Sequence, residues 1–282
     1  MSGLPARVRL VIFDLDGVVY RGRMPVPGAR DLVGWLHERR VAVRFATNNS
    51  TVTRVGYVER LAGMGIPTSA EEIVTSTSAT IEHLRRHAPD VRSVLGIGAD
   101  GMRDELAGAG FSVVMASEMT AAQRPGAPMP GFDAVLVGLD PSLDYGRLAV
   151  AMAAVAGGAQ LIATNADARY PTEAGFLPGA GATVAALAAA TGVTPAVIGK
   201  PEPAMFTAIL EASGIDAAGC VVVGDNPDAD IVGARRAGCA SILVLTGVTD
   251  GATAGSLSGE RAPDAVAADP AEVRALLEDR LS

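Results

Sequence analysis

The sequence predicts an α/β protein built on a parallel sheet, with a second α/β segment inserted into the chain. Two observations carry that reading. Short β-branched and apolar runs alternate with stretches of helical periodicity along most of the 282 residues. Several of those runs end on polar, chemically capable residues, which an open parallel sheet gathers at one rim, outside the carboxyl ends of its strands.

The elements follow in chain order. The run 9–13 (RLVIF) reads as a buried strand that ends at Asp14, and a helix over 28–39 leads to a second strand at 41–46 (VAVRFA), ending at Thr47-Asn48. Helical patterns cover 54–64 and 77–87. From about residue 90 the chain supplies strands at 94–97, 111–116, 133–139 and 159–163 and helices over 144–156 and 180–191, with few polar termini. The first pattern then resumes. Strands at 196–198, 220–223 (CVVV) and 241–245 (SILVL) end at Gly199-Lys200, Gly224-Asp225 and Thr246-Gly247, with helices over 203–213 and 229–237. Asp269-Pro270 opens a last helix, as an N-cap followed by proline at the first helical position. Nine strands would make an unusually wide sheet. Residues 90–193 are therefore expected to be an inserted domain, with 1–89 and 194–282 together forming the main one. The Pro-rich piece 124–130 (RPGAPMP) becomes a loop of the insertion.

Composition narrows the function classes. With 49% apolar residues, 4% aromatic and a net charge of -8, the chain reads as a soluble globular protein. It lacks the clustered Lys and Arg that a nucleic-acid or anionic-membrane surface needs, so neither partner is expected. Residues 1–9 are too short and polar for a secretory signal. The Ala-rich stretches 148–163 and 180–191 fall short of a membrane span. The expected compartment is the cytoplasm, where Cys220 and Cys239 would be reduced core thiols.

The chemistry sits at the strand ends. In "LVIFDLDGVVY", Asp14 and Asp16 lie one residue apart on an extended run, so both face the same side. Like charges at such range need a cation, and Asp225 adds a third carboxylate, a donor set suited to Mg²⁺. Of Asp228 and Asp230, the latter is the better candidate to hold Lys200 or a metal-bound water, because it directly precedes an apolar helical turn. Thr47-Asn48-Asn49-Ser50 offers a hydroxyl, carboxamides and main-chain N–H groups, a competent phosphate cradle. Lys200 adds a positive charge. Pro201 stands where a Walker A loop would have Ser or Thr. Gly96-Ile97-Gly98-Ala99-Asp100-Gly101 is a literal G-x-G-x-x-G with Glu118 beyond it, but it reads as a tight strand-to-helix turn. His37, His83 and His87 lie in helical stretches among Arg and Glu and read as surface residues.

The segments "DLDGVVY", "TNNS", "GKPEP" and "GDNPDADI", in this order, resemble the four motifs of the haloacid dehalogenase (HAD) superfamily. The long insertion between the second and third resembles the C2 cap of its NagD-like branch, the group of 4-nitrophenyl, phosphoglycolate, pyridoxal-phosphate and glycerol-3-phosphate phosphatases. Nearly the whole chain takes part, "LVGLDPSLDYGRL" and "ATNADARYPTEAGFLPGAGA" included. The resemblance implies a Rossmann-like core with a cap, and a Mg²⁺-dependent phosphatase of small phosphomonoesters. Asp14 would be the nucleophile and Asp16 the acid and then base. Mg²⁺ would be held by Asp14, Asp225 and the main-chain carbonyl of Asp16. Thr47, Asn48, Asn49 and Lys200 would bind the phosphoryl group, with Gly17 and Asp230 in support. Arg169 and Tyr170, in "NADARYPTE", would read the rest of a small phosphorylated metabolite, and the apolar cap stretches permit a homodimer. The rival readings are a phosphomutase, which shares the motifs, and a receiver-like phospho-aspartate signalling module. The carboxylate of Asp16 and the long insertion argue against the receiver.

Overall fold

The computed structural model describes residues 3–119, 130–172 and 175–281. The expected loop at 124–130 therefore lies, but for its last residue, outside the described residues. The chain divides into two compact units: Met1–Thr47, Arg54–Val74 and Lys200–Ser282 form the first, Asn48–Thr53 and Thr75–Gly199 the second.

The first unit is built on a six-stranded sheet ordered Ala265–Ala267, Ala240–Val244, Cys220–Gly224, Leu10–Phe13, Ala42–Thr47, Ile73–Thr75. The pairings joining the first five of these strands are parallel. Leu10–Phe13 and Cys220–Gly224 lie in the middle and are buried throughout, which is why each reads as an unbroken apolar run rather than an alternating one. Helix Ala29–Glu38 buries Leu32, Val33, Trp35 and Leu36, while helix Ala204–Ser213 buries Met205, Phe206 and Ile209 and stops at left-handed Gly214.

The second unit has its own sheet, ordered Ala196–Val197, Gln160–Ala163, Ala134–Val137, Ser93–Ile97, Ser112–Met115, parallel throughout. Leu95, Val135, Val137 and Leu161 pack against Ala151 and Val155 of helix Tyr145–Ala156 and against Val184 and Leu187 of helix Ala180–Thr191. Alanine on these helices allows close approach to the sheet. An antiparallel hairpin, Arg169–Thr172 with Gly175–Pro178, precedes the last helix.

Three differences from the sequence expectation have physical causes. The strand at 196–198 was expected in the main sheet, but Ala196–Val197 pairs with Ile162 and Ala163, and Gly199 N–H donates to the Thr164 carbonyl at 2.8 Å. The unit boundary therefore falls after Gly199 rather than at 194. Helix Ser76–His87, expected in the main domain, belongs to the second unit, where the Thr75 hydroxyl donates to Glu105 at 2.9 Å and Ser76 donates to the Asn48 carbonyl at 2.8 Å. Ile73–Thr75 and Ala265–Ala267 went unread because both are three-residue strands at the sheet's two edges. Edge strands carry little burial pattern.

The glycines at 96, 98 and 101 serve packing. A Cβ at Gly101 would stand 2.4 Å from the Thr51 carbonyl oxygen, and one at Gly96 or Gly98 would meet Met115 or Met102 at 2.6 Å. Cys220 and Cys239 are free and buried. Among the described residues no helix is long and apolar enough to cross a membrane.

Candidate active site

Asp14 follows the central strand directly, and its N–H donates to the Val223 carbonyl at 2.9 Å, so the parallel ladder sets its position. The chain then leaves the sheet. Gly17 adopts φ 82°, a conformation L side chains avoid, and a Cβ there would lie 2.3 Å from Asp225 Oδ2. Thr246 Oγ1 donates to the Gly17 carbonyl at 2.6 Å.

Asp225 follows the neighbouring strand. Its Oδ2 accepts from Val248 N–H and its carbonyl from Thr249 Oγ1, each at 2.7 Å. Gly247 is required beside it, since a Cβ there would stand 1.8 Å from Asp225 Oδ2. Asn226 then caps a π-helical turn, Pro227–Ile231, by accepting from the N–H groups of Asp228 and Ala229. That wide turn, of a kind frequent at functional sites, carries Asp230 back to the rim, where its Oδ2 accepts from Asn226 N–H at 3.1 Å.

Lys200 joins these strands. Its Nζ donates to Asp14 Oδ1 at 2.7 Å, to Asp230 Oδ1 at 2.7 Å and to the Ala46 carbonyl at 3.1 Å, with its side chain 3% exposed. Carboxylate oxygens of Asp14, Asp225 and Asp230 lie within 4.8 Å of one another. Three carboxylates, those of Asp225 and Asp230 buried and that of Asp14 half-buried, thus face one ammonium. Hard oxygen donors in net negative excess are the donor set of a hard divalent cation, so the residues fit such an ion.

The acidities follow from this crowding. Burial, reinforced by the charges of Asp230 and Asp225, holds the Asp14 carboxyl well above the ordinary range although Lys200 pulls it down. Burial and Asp230 push Asp225 up to about 7, against the Val248 N–H. Burial alone would lower Lys200, but Asp14 and Asp230 outweigh it and keep the ammonium charged.

Asp16 stands apart from that cluster. Its side chain is exposed, and Tyr20 Oη donates to its Oδ2 at 3.3 Å. The surrounding protein raises its carboxyl, while Arg60 and the Tyr20 bond pull it back. The Arg60 guanidinium lies 4.2 Å from the Tyr20 ring centroid. Neither Tyr20 nor Arg60 is evident from the sequence as a site residue; the one signal is that Tyr20 closes the apolar run carrying both aspartates.

Thr47 ends its strand buried within the first unit. Asn48 and Asn49 belong to the second unit. The Asn48 carboxamide donates to Asp167 Oδ2 at 3.0 Å, the Asn48 main-chain carbonyl accepts from the Asn165 carboxamide at 2.7 Å, and Asn49 Oδ1 accepts from the N–H and hydroxyl of Thr51 in a local turn. Also in the second unit, Arg169 is exposed with its guanidinium 5.7 Å from the Phe176 ring, and Tyr170 lines a cavity of about 220 Å³ with Leu139, Asp140, Leu177 and Thr183.

Comparison with known proteins places the chain in a family. Residues 11–112 match the haloacid dehalogenase-like hydrolase family and residues 197–273 the HAD-hydrolase-like family. An acid sugar phosphatase from Staphylococcus epidermidis is 35% identical over 238 residues, covering 84% of this chain and 86% of that protein. Among solved structures, a p-nitrophenyl phosphatase from Archaeoglobus fulgidus superposes with a TM-score of 0.85 at 30% identity, over 96% of this chain and 100% of that one. A glycerol phosphate phosphatase from Mycobacterium tuberculosis, in complex with magnesium, gives 0.81 at 34% identity, over 95% and 76%. The chain belongs to the haloacid dehalogenase-like hydrolase family. Within it, the chain is a phosphoric monoester hydrolase of the NagD type, which sets aside the mutase and receiver alternatives.

Proposed function

We propose that the protein is a Mg²⁺-dependent phosphatase of small phosphomonoesters, with Asp14 as nucleophile. The observation that carries this is the bond from Lys200 Nζ to both Asp14 Oδ1 and Asp230 Oδ1, each at 2.7 Å, inside a cluster of three carboxylates. An Asp14 oxygen attacks phosphorus and the bond to the leaving oxygen breaks. Asp16 gives that oxygen its proton, releasing the alcohol, and then takes a proton from the water that attacks the aspartyl-phosphate, releasing phosphate. Lys200 and Thr47, with Asn48 and Asn49 following in the chain, bind the transferring group, whose spread charge makes electrostatic stabilisation the main contribution. Mg²⁺ would be held by Asp14, Asp225 and the Asp16 carbonyl, and when bound it neutralises charge on the phosphoryl oxygens. Asp230, with one oxygen on Lys200 and the other on the Asn226 N–H, supports from behind.

The second unit is proposed to be the cap, with Arg169 and Tyr170 discriminating among substrates. The relatives named above make sugar phosphates, glycerol 3-phosphate and 4-nitrophenyl phosphate the first trials, with phosphoglycolate beside them. A panel of these, assayed with Mg²⁺ and with EDTA, tests the reading. Turnover is expected with Mg²⁺ alone and none with Asp14→Asn; equal rates for the wild type and that variant refute it. Arg169→Ala is expected to change relative kcat/KM across the panel.

A further inference from the structure

We infer that Tyr20 and Arg60 are positioning residues that hold Asp16 for proton transfer to the leaving oxygen. The inference rests on the proposed acid role of Asp16. Asp16 is exposed, on a loop that has left the sheet, so its carboxyl rotor has little packing to fix it. Tyr20 supplies the restraint. Its side chain is fully buried, its carbonyl accepts from Gly17 N–H at 2.7 Å, and its own N–H donates to the Leu15 carbonyl at 3.1 Å, so the phenol springs from a closed turn around Asp16. The hydroxyl then donates to Asp16 Oδ2 at 3.3 Å, which leaves Oδ1 to carry the proton.

Arg60, from helix Arg54–Gly63, holds the phenol in turn. Its guanidinium lies 4.2 Å from the ring centroid and donates to the Gly22 carbonyl at 2.6 Å, which ties the helix to the short hairpin Tyr20–Arg21 with Met24–Pro25. The chain of contacts runs from a helix, through an aromatic face, to one carboxyl oxygen. None of the three residues except Asp16 is asked to exchange a proton.

In phosphoryl transfer, the step that kcat/KM reports, a leaving group that needs a proton must feel this restraint and one that does not must feel it little; the later attack of water, with Asp16 as base, is common to every substrate. Tyr20→Phe keeps the ring under Arg60 and removes only the hydroxyl. It is expected to lower kcat/KM about tenfold for the best alkyl phosphate of the panel, a part of what a positioned acid contributes. With 4-nitrophenyl phosphate, whose phenolate leaves without a proton, the loss in kcat/KM is expected to be much smaller. Arg60→Met, which keeps an apolar stem near the ring, is expected to show the same bias to a lesser degree. Asp16→Asn is the control: it should show a larger bias, and Tyr20→Phe added to it should cost nothing further. A bias in Asp16→Asn with none in Tyr20→Phe or Arg60→Met, or equal losses on both substrates in those two variants, overturns the positioning role alone. No bias in Asp16→Asn removes the acid role and this inference with it.

Discussion

Lys200 sets one ammonium between two carboxylates, 2.7 Å from each, where almost no solvent reaches. Removing one partner from such a buried group leaves the others uncompensated and typically costs about 3–5 kcal/mol. Lys200→Met is therefore expected to lose that order of stability in urea unfolding as well as its activity, while Arg261→Gln, which removes an exposed pair with Asp228, should change stability by less than about 1 kcal/mol. Gly17 acts through shape. At φ 82°, with Asp225 Oδ2 2.3 Å from any added Cβ, Gly17→Ala combines backbone strain with displacement of a proposed metal ligand. It is expected to lower stability by about 1–3 kcal/mol and to weaken Mg²⁺ activation, measured as a raised half-saturating Mg²⁺ concentration.

At the scale of elements, Asp133 joins two strands of the second unit. Its Oδ2 accepts from the N–H groups of Arg92 and Ser93 and from the Ser93 hydroxyl, each at 2.8 Å, tying Ala134–Val137 to the start of Ser93–Ile97. Those N–H groups hold its carboxyl below the ordinary 3.8. A carboxylate depressed by folding adds stability that is present above its unfolded value and lost as pH falls through its folded one. The advantage of the wild type over Asp133→Asn in thermal melts is thus expected to be constant near neutrality and to shrink progressively as pH falls below 3.8. Such capping went unread in the sequence, because an aspartate before an apolar run has many roles. Asp14 and Asp225 were legible because each directly follows an unbroken apolar run, the mark of a strand buried on both faces; Thr47 and Lys200 were legible from the polar residues gathered at a strand end and beside a proline rather than from burial. Tyr20 and Arg60 were not, because their partners are set by a hairpin too short to show a period and by a helix whose facing side depends on tertiary packing. The boundary after Gly199 was hidden for a related reason: two residues, Ala196-Val197, decide which sheet that segment joins.

For the whole molecule, each unit has its own sheet and core, yet the chain passes between them after residues 47, 53, 74 and 199. Stability in the first unit is opposed by its own rim, where burial and Asp230 push Asp225 up to about 7. The sign follows from proton counting: between 3.8 and about 7 the folded state binds more protons at Asp225 than the unfolded one, so without metal the folded state loses stability as pH rises through that window. Asp225→Asn removes the charge while its carboxamide oxygen can still accept from Val248 N–H, so in EDTA the variant is expected to match or exceed the wild type at pH 7 and to lose that advantage near pH 4. Saturating Mg²⁺ should reverse the order. An ion bound only by the folded state adds about 2.7 kcal/mol at a hundredfold excess over its Kd, and the variant, short of one carboxylate, should gain much less. Calorimetric melts of both proteins at two pH values, with EDTA and with Mg²⁺, check this. A wild type whose transition ignores Mg²⁺ at neutral pH would show that Asp14, Asp225 and the Asp16 carbonyl do not hold the ion, whatever the phosphatase activity.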